Sequence, residues 1–293
     1  MVSNNWHERA LKDIENTLIN VFSQDCASEN LLKSMKYSTL DAGKRIRPLF
    51  CLASGVLSDA DYKNILLIGS ALEIIHCFSL IHDDLPIMDN DGLRRGKPTN
   101  HIVYGDAVAL LAGDALHSLS FEILSSDKLK LSDNKKLNII CRVAKAIGIN
   151  GMVGGQTIDW LSSGKHLTVD ELKGMHGLKT GALLKASIIT GYIAGDNYSQ
   201  DVLMQLEIIA DKIGLLFQIV DDIIDVTETT ETLGKTANKD HEQDKATYVT
   251  ILGLDESKQL AATLHKEIVN LLKQHDNSEI LQYLTDLVYY RNN

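Results

Sequence analysis

Two short stretches gather the carboxylates that could do chemistry in this chain. Asp83, Asp84, Asp89 and Asp91 crowd SLIHDDLPIMDNDGLRRG, and Asp221, Asp222 and Asp225 fall within FQIVDDIID. Each group closes an apolar run. Adjacent carboxylates repel, and a helix C-terminus is itself negative, so both groups require compensation by cations or by solvent. For the first group alone, a divalent metal site and a solvated acidic loop both stay open. The second group favours metal. Gln218, Asp221, Asp222 and Asp225 stand at i, i+3, i+4 and i+7, one stripe of a helix that is otherwise core. Such a stripe is costly unless it faces a cation-filled cavity. In the first group Asp89 lies about 240° round a regular helix from Asp83, so the three can converge only if the helix breaks, and Pro86 stands between them. Oxygen donors with no nearby Cys or paired His favour Mg²⁺ over zinc.

Mg²⁺ keeps waters and shares its ligands with phosphates, so two such groups imply a polyphosphate between them. Cations for it are at hand. GKRIRP supplies Lys44, Arg45 and Arg47; LRRGK supplies Arg94 and Arg95; GLKTGALLKA supplies Lys179 and Thr180; Lys235 and Lys245 lie further on. No G-x-x-x-x-G-K-[ST] and no helix-opening G-x-G-x-x-G occurs, so metals and side chains, not a glycine-rich cradle, would hold the phosphates.

The elements that must position these groups read almost entirely with helical period. Helices are expected at 5–22, 28–41, 48–57, 61–84, 103–125, 133–149, 151–162, 168–190, 199–226, 246–253, 256–274 and 277–289, with a capping box at Thr168–Glu171 and no run of alternating strands. Only three prolines interrupt the 293 residues, and 44% hydrophobic content suffices for a sizeable core. The run Ile65–Ile81 is nearly long enough to span a bilayer, but Glu73 and His76 interrupt it, so it reads as a buried central helix. The polar segment 227–246 has the composition of a mobile lid. Nothing marks a domain boundary, so residues 1–293 read as a single domain. A net charge of −10 argues against nucleic acid or an anionic membrane as main partner. Cys26, Cys51, Cys77 and Cys141 form no C-x-x-C, and three sit in apolar stretches; buried free thiols in a reducing cytosol are expected. The N-terminus carries no signal-peptide pattern, so a cytoplasmic location is expected.

In order along the chain, GKRIRP, DDLPIMD, LAGDAL, GGQTIDW, KTGALLKA, FQIVDDIID, TLGKTANKD and DKATY resemble the blocks of trans-isoprenyl diphosphate synthases, most of all the bacterial-type farnesyl diphosphate synthases. The resemblance runs from about residue 40 to 250. It implies an all-α isoprenoid synthase-type bundle around a deep central cavity, usually a homodimer, without a membrane span. It implies Mg²⁺, three per active site, held by Asp83, Asp84 and Asp89 with Asp221, Asp222 and Asp225. Isopentenyl diphosphate would fall to Lys44, Arg47, His76 and Arg95. The allylic partner, dimethylallyl then geranyl diphosphate, would fall to Arg94, Lys179 and Lys245, with Lys235 on the closing loop. Thr180 and Gln218 would face the developing cation. Phe78 with Ser79 beside it, just ahead of the first motif, resembles the pattern that stops chains at farnesyl diphosphate, the alternatives being a geranyl or geranylgeranyl product.

Departures are small. Ala42-Gly43-Lys44 replaces the usual Gly-Gly-Lys, and the end YYRNN offers only Arg291 where relatives often finish with a basic residue. Asp91 reads as solvated and Arg45 as structural, while Gln156 and Asp159 either order the cavity wall or take part in the site. A di-iron carboxylate bundle shares the inward acids, and Glu73-x-x-His76 has its spacing, but it has no use for the arginines. A terpene cyclase would lack a second diphosphate site, and a non-catalytic subunit tends to lose aspartates that are all present here.

Overall fold

The computed structural model describes residues 2–23, 26–41, 43–227 and 246–291. Helices α1 (Val2–Val21), α2 (Glu29–Thr39), α3 (Ile46–Val56) and α4 (Tyr62–Asp83) come first. They are followed by α5 (Asn100–Tyr104), α6 (Asp106–Ser125), α7 (Asp133–Ile147), α8 (Met152–Ser162), α9 (Val169–His176) and α10 (Ala182–Ala194). The chain closes with α11 (Gln200–Thr227), α12 (Tyr248–Leu252), α13 (Leu254–Leu272) and α14 (Glu279–Tyr289). The fold is all-α, as the helical periodicity requires. Asp61 caps α4 through its side chain on the Asn64 amide, and Thr168 and Glu171 close the expected capping box on α9.

Helix α4 is the axis of the bundle. It packs against α3, α6 and α10 and, more lightly, α1 and α2. Tyr62–Asp83, Asp106–Ser125 and Asp133–Ser162 are long and apolar enough to cross a membrane by length and composition, but 72% of the apolar window of the first lies buried inside the protein. A helix surrounded on every side needs no polar face, which is why α4 is apolar all round. Leu72, Ile74 and Ile75 are fully buried.

Three departures from the expected elements have local causes. A two-residue hairpin, β1 (Leu93–Arg94) with β2 (Lys97–Pro98), occupies the loop after α4. Its turn places both Arg95 (φ 54°) and Gly96 (φ 76°) in the left-handed region, which suits a tight hairpin and leaves no periodic trace in so short a strand. The helix expected over 168–190 is interrupted by a π-helical turn at Gly177–Gly181. Cys51 and Cys77 are buried free thiols, but Cys26 and Cys141 are exposed. On α7 the buried stripe is Ile139, Val143 and Ile147, and Cys141 falls on the opposite face, so its apolar neighbours misrepresent its position.

Truncating α4 at its most enclosed point should cost the fold heavily. Leu72→Ala is expected to lower unfolding free energy by about 2–5 kcal/mol in a denaturant titration; a change within experimental error would remove α4 from its central place.

Candidate active site

The first aspartate group sits where α4 stops. Asp84 is the C-cap residue, and the chain then folds tightly, the Asp89 amide donating to the Asp83 carbonyl (2.8 Å) and the Asp91 amide to that of Asp84 (3.2 Å). The break expected near Pro86 is there. Asp84 is buried and held by Arg94, which also reaches Asp91 (Nη2 to Oδ2, 3.4 Å). Asp91, expected in solvent, is therefore part of this pairing. Asp83 has its carboxyl pushed up to about 6, first by burial; Lys179 and Arg94 oppose that rise, and the like charges of Asp89 and Asp84 add to it.

The second group stands near the end of α11. Asp222 and Asp225 are buried, while Asp221 is partly exposed and paired with Arg291 (3.0 Å). Arg291 also lies 4.2 Å over the Phe217 ring, so this C-terminal arginine, left in doubt by the sequence, is seated against the site. Asp222 is held from two sides. Thr180 donates to Gln218 Oε1 (3.1 Å), Gln218 Nε2 donates to Asp222 Oδ1 (2.8 Å), and the Tyr248 amide donates to Asp222 Oδ2 (2.8 Å).

The π-helical turn joins the two groups. Of its adjacent residues, Lys179 is charge-paired with Asp159 and feels Asp83 and Asp89, while Thr180 opens the chain of hydrogen bonds to Asp222. Burial alone would lower the Lys179 pKa, but these carboxylates outweigh it and the net shift is upward. The extra residue of a π-turn is what lets neighbouring side chains serve different faces, and such turns are frequent at functional sites. Helix α8 lies directly on it: a Cβ at Gly155 would stand 2.2 Å from the Lys179 amide nitrogen. Asp159 is thus a partner of Lys179, and the side-chain oxygen Oε1 of Gln156 is buried with no protein partner.

The remaining cations converge beside α4. Arg47 and His76 line one cavity of about 620 Å³ together with Phe78, Ser79, Asp83, Lys179 and Thr180. Arg47 Nε is buried without a protein partner. Burial, then the charges of Arg47, Arg95 and Arg94, hold His76 well below its usual pKa, so it is neutral at pH 7. Burial likewise lowers the pKa of Lys44, with Arg291 adding to the shift and Asp221 opposing it. Away from the charged mouth the cavity is lined by Leu80, Leu85, Met88, Met152 and Trp160. Phe78 sits in its wall, edge-on to His82 and His117, and His117 meets Phe121. Lys235, Lys245 and nearly all of the segment 227–246 lie outside the described residues.

Among the described residues, no group of three or more His, Cys, Asp or Glu is close enough to hold a metal unaided. Mg²⁺ does not require one, because it is commonly bound by one or two carboxylates plus substrate phosphates. A half-buried Asp83 beside two more carboxylates, with hard oxygen donors on both groups, fits that ion.

Helices thus enclose an apolar cavity whose mouth carries paired carboxylates and cations. Comparison places the chain more closely. A model of the polyprenyl synthetase family matches residues 28–288. The chain is 44% identical over 264 residues to a chloroplastic geranylgeranyl pyrophosphate synthase of Capsicum annuum, covering 89% of this chain and 71% of that protein. It is 40% identical over 267 residues to the farnesyl diphosphate synthase of Escherichia coli K12, covering 89% of each. Two crystal structures superpose over 98% of this chain. An FPP/GFPP synthase from Zymomonas mobilis does so with a TM-score of 0.87 at 36% identity over 100% of that chain. A Helicobacter pylori geranyltransferase complexed with magnesium and isoprenyl diphosphate does so with 0.86 at 33% over 96%. The chain belongs to the polyprenyl synthetase family and is a prenyltransferase that elongates prenyl chains.

Sequence reasoning passed over His176 and Tyr248. Their rings meet edge-on beside the π-turn, and Nδ1 of one and the hydroxyl of the other are buried without partners. His176 carries no motif signal and only its nearness to Lys179 hints at it, whereas Tyr248 is the last residue of DKATY. Burial pushes His176 down to about 4. Between pH 6.5 and 4 the unfolded chain therefore takes up a proton that the folded protein refuses, and this contribution to stability, full above pH 6.5, is lost as pH falls. The melting temperature of His176→Asn should fall less than that of the wild type between pH 7 and pH 5. Parallel falls would mean that His176 ionises in the folded state.

Proposed function

We propose that this chain catalyses the Mg²⁺-dependent head-to-tail condensation of isopentenyl diphosphate with dimethylallyl and then geranyl diphosphate, yielding (2E,6E)-farnesyl diphosphate. The observation that carries this reading is the π-turn, which sets Lys179 toward one carboxylate group and ties Thr180 to the other at the mouth of an apolar cavity. A charged end and a hydrocarbon tail are what such a cavity accommodates. Mg²⁺, held by Asp83, Asp84 and Asp89 and by Asp221, Asp222 and Asp225, would neutralise charge on the departing allylic diphosphate.

The chain's own residues divide the remaining work. Lys179 and Arg94 add positive charge where the leaving group gathers negative charge. Arg94 reaches it only by giving up some hold on Asp84, so ligand binding and re-pairing of Asp84 go together. Lys44, Arg47 and Arg95 hold the second diphosphate, and neutral His76 contributes a hydrogen bond there. The Thr180 and Gln218 oxygens stabilise the allylic cation. The isopentenyl double bond attacks that cation, and the departing diphosphate takes the proton that is lost, so no side-chain base is needed. The apolar lining keeps out water that would quench the cation. Cytoplasmic location, a homodimer and three Mg²⁺ per site are part of the same proposal.

Phe78 supports the C15 product. It is 7% exposed, lines the first cavity and meets edge-on the ring of His117, which with Phe121, Val153 and Thr157 lines a second of about 580 Å³. Val153 and Thr157 border both cavities. A second cavity that shares Val153 and Thr157 with the first, and relatives named as geranylgeranyl synthases, favour geranylgeranyl diphosphate as the second reading.

Incubation with isopentenyl and dimethylallyl diphosphates and Mg²⁺, followed by chain-length analysis, tests the proposal. Condensation that needs Mg²⁺ and stops mainly at C15 is expected; its absence would overturn the assignment, and a C20 product would replace the first reading by the second. Asp83→Ala and Asp221→Ala should each lower kcat by about a hundredfold or more with the fold retained, the scale seen when groups stabilising a developing charge are removed. Phe78→Ala should lengthen the product, and an unchanged distribution would show that another residue stops the chain.

A further inference from the structure

Arg45 is a charged residue with no access to solvent: its side chain is 0% exposed, in the middle of GKRIRP. Its backbone is left-handed (φ 47°), which for a non-glycine residue must be held by its surroundings. The guanidinium supplies that hold. Nη1 donates to Glu73 Oε1 (2.9 Å), Nε to Glu15 Oε1 (2.6 Å), and Nη2 to the carbonyls of Thr39 and Asp41 (both 2.9 Å). Arg45 thus pins the end of α2 and the start of α3 to α4, with α1 as a further anchor.

What it pins decides its role. Lys44 precedes it, Arg47 stands at the second position of α3, and Glu73 lies three residues before His76 on α4. Residues three apart share a helix face. The Arg45–Glu73 pair therefore sets the register between the turn bearing Lys44 and Arg47 and the turn bearing His76. From outside, Arg95 donates to the same Asp41 carbonyl (3.3 Å), and a Cβ at Gly43 would come within 2.9 Å of its guanidinium. Two arginines thus grip one strand of backbone, the outer one itself placed among the diphosphate-binding cations.

We infer that Arg45 is a positioning residue for the second diphosphate, holding Lys44, Arg47 and Arg95 in register with His76 through its bonds to Glu73 and to the Asp41 carbonyl. The inference rests on the proposed assignment of those four residues to isopentenyl diphosphate. Arg45 touches neither substrate. The allylic side depends on Lys179, Thr180 and Arg94, which Arg45 does not contact, so its loss should be felt by one substrate alone.

Steady-state kinetics with Mg²⁺ on the wild type, Arg45→Lys and Glu73→Gln tests this, each diphosphate being varied while the other saturates. A wild type without condensation activity would sink the proposed function before any variant is compared. With an active wild type, KM for isopentenyl diphosphate should rise about tenfold in Arg45→Lys and about threefold in Glu73→Gln, because small misplacements of binding groups are costly. KM for dimethylallyl diphosphate should stay within about twofold. Equal rises for both substrates, or a lower kcat with both KM values unchanged, would reduce Arg45 to a structural role and overturn the inference. Should Arg45→Lys fail to fold, Glu73→Gln decides alone, since it keeps an acceptor in the same place.

Discussion

Like charges gathered at the mouth of an oily cavity repel one another, and the rest of this structure is arranged around managing that repulsion. Asp84 rests on Arg94, Asp159 on Lys179, Asp221 on Arg291, and Asp222 on Gln218 and a backbone amide. Each tie is made by a different element, so the mouth comes together only when α4, α8, α11, the π-turn and the C-terminal helix are all in place. Buried charges are tolerated only when paired and hydrogen-bonded. Bundle assembly and site assembly are therefore one event, and the apolar packing of α4 against α3, α6 and α10 is what makes the electrostatics possible.

Under the proposed function, the partners in these ties would exchange when a diphosphate arrives. An arginine holding an aspartate is already oriented, already desolvated and already close to where a diphosphate would sit. Exchanging one anion for another asks less of it than capture from water, where side-chain freedom and hydration would both be lost at binding. Arg47 and Gln156 show the complementary condition, each keeping a buried polar atom without a protein partner.

Helical periodicity, the two aspartate groups and the break after Asp84 were open to reading because they are local or follow from spacing along one helix, whereas the bond from Thr180 to Gln218 joins two elements. Other features were hidden. The ties between Arg94 and Asp84, between Arg291 and Asp221 and between Arg45 and Glu73 depend on which helices meet, and residue types alone do not say which of several acids a given arginine takes. From its place between Lys44 and Arg47, Arg45 reads as structural, and its bonds to Glu15, Glu73 and two backbone carbonyls follow only from the meeting of α1, α2 and α4. Cys141 faces outward among apolar residues because neighbours in sequence are not neighbours on a helix face. The resemblance to trans-isoprenyl diphosphate synthases carried the family, while the rings that Phe78 meets follow only from how the helices pack.

The π-turn at Gly177–Gly181 is also a phase shift. One extra residue rotates α9 by about 100° relative to the register of α10. Helix α10 is locked by close packing against α3, α4 and α11, whereas α9 answers to α8 and to Tyr248. A continuous α-helix would force both segments to satisfy one set of faces, so a change that improved core packing would turn Lys179 or Thr180 away from its carboxylates. With the extra residue in place, the two segments keep separate angular accounts. The core can vary its side chains without moving the mouth, and the mouth can be tuned to a new tail length without unsettling the core.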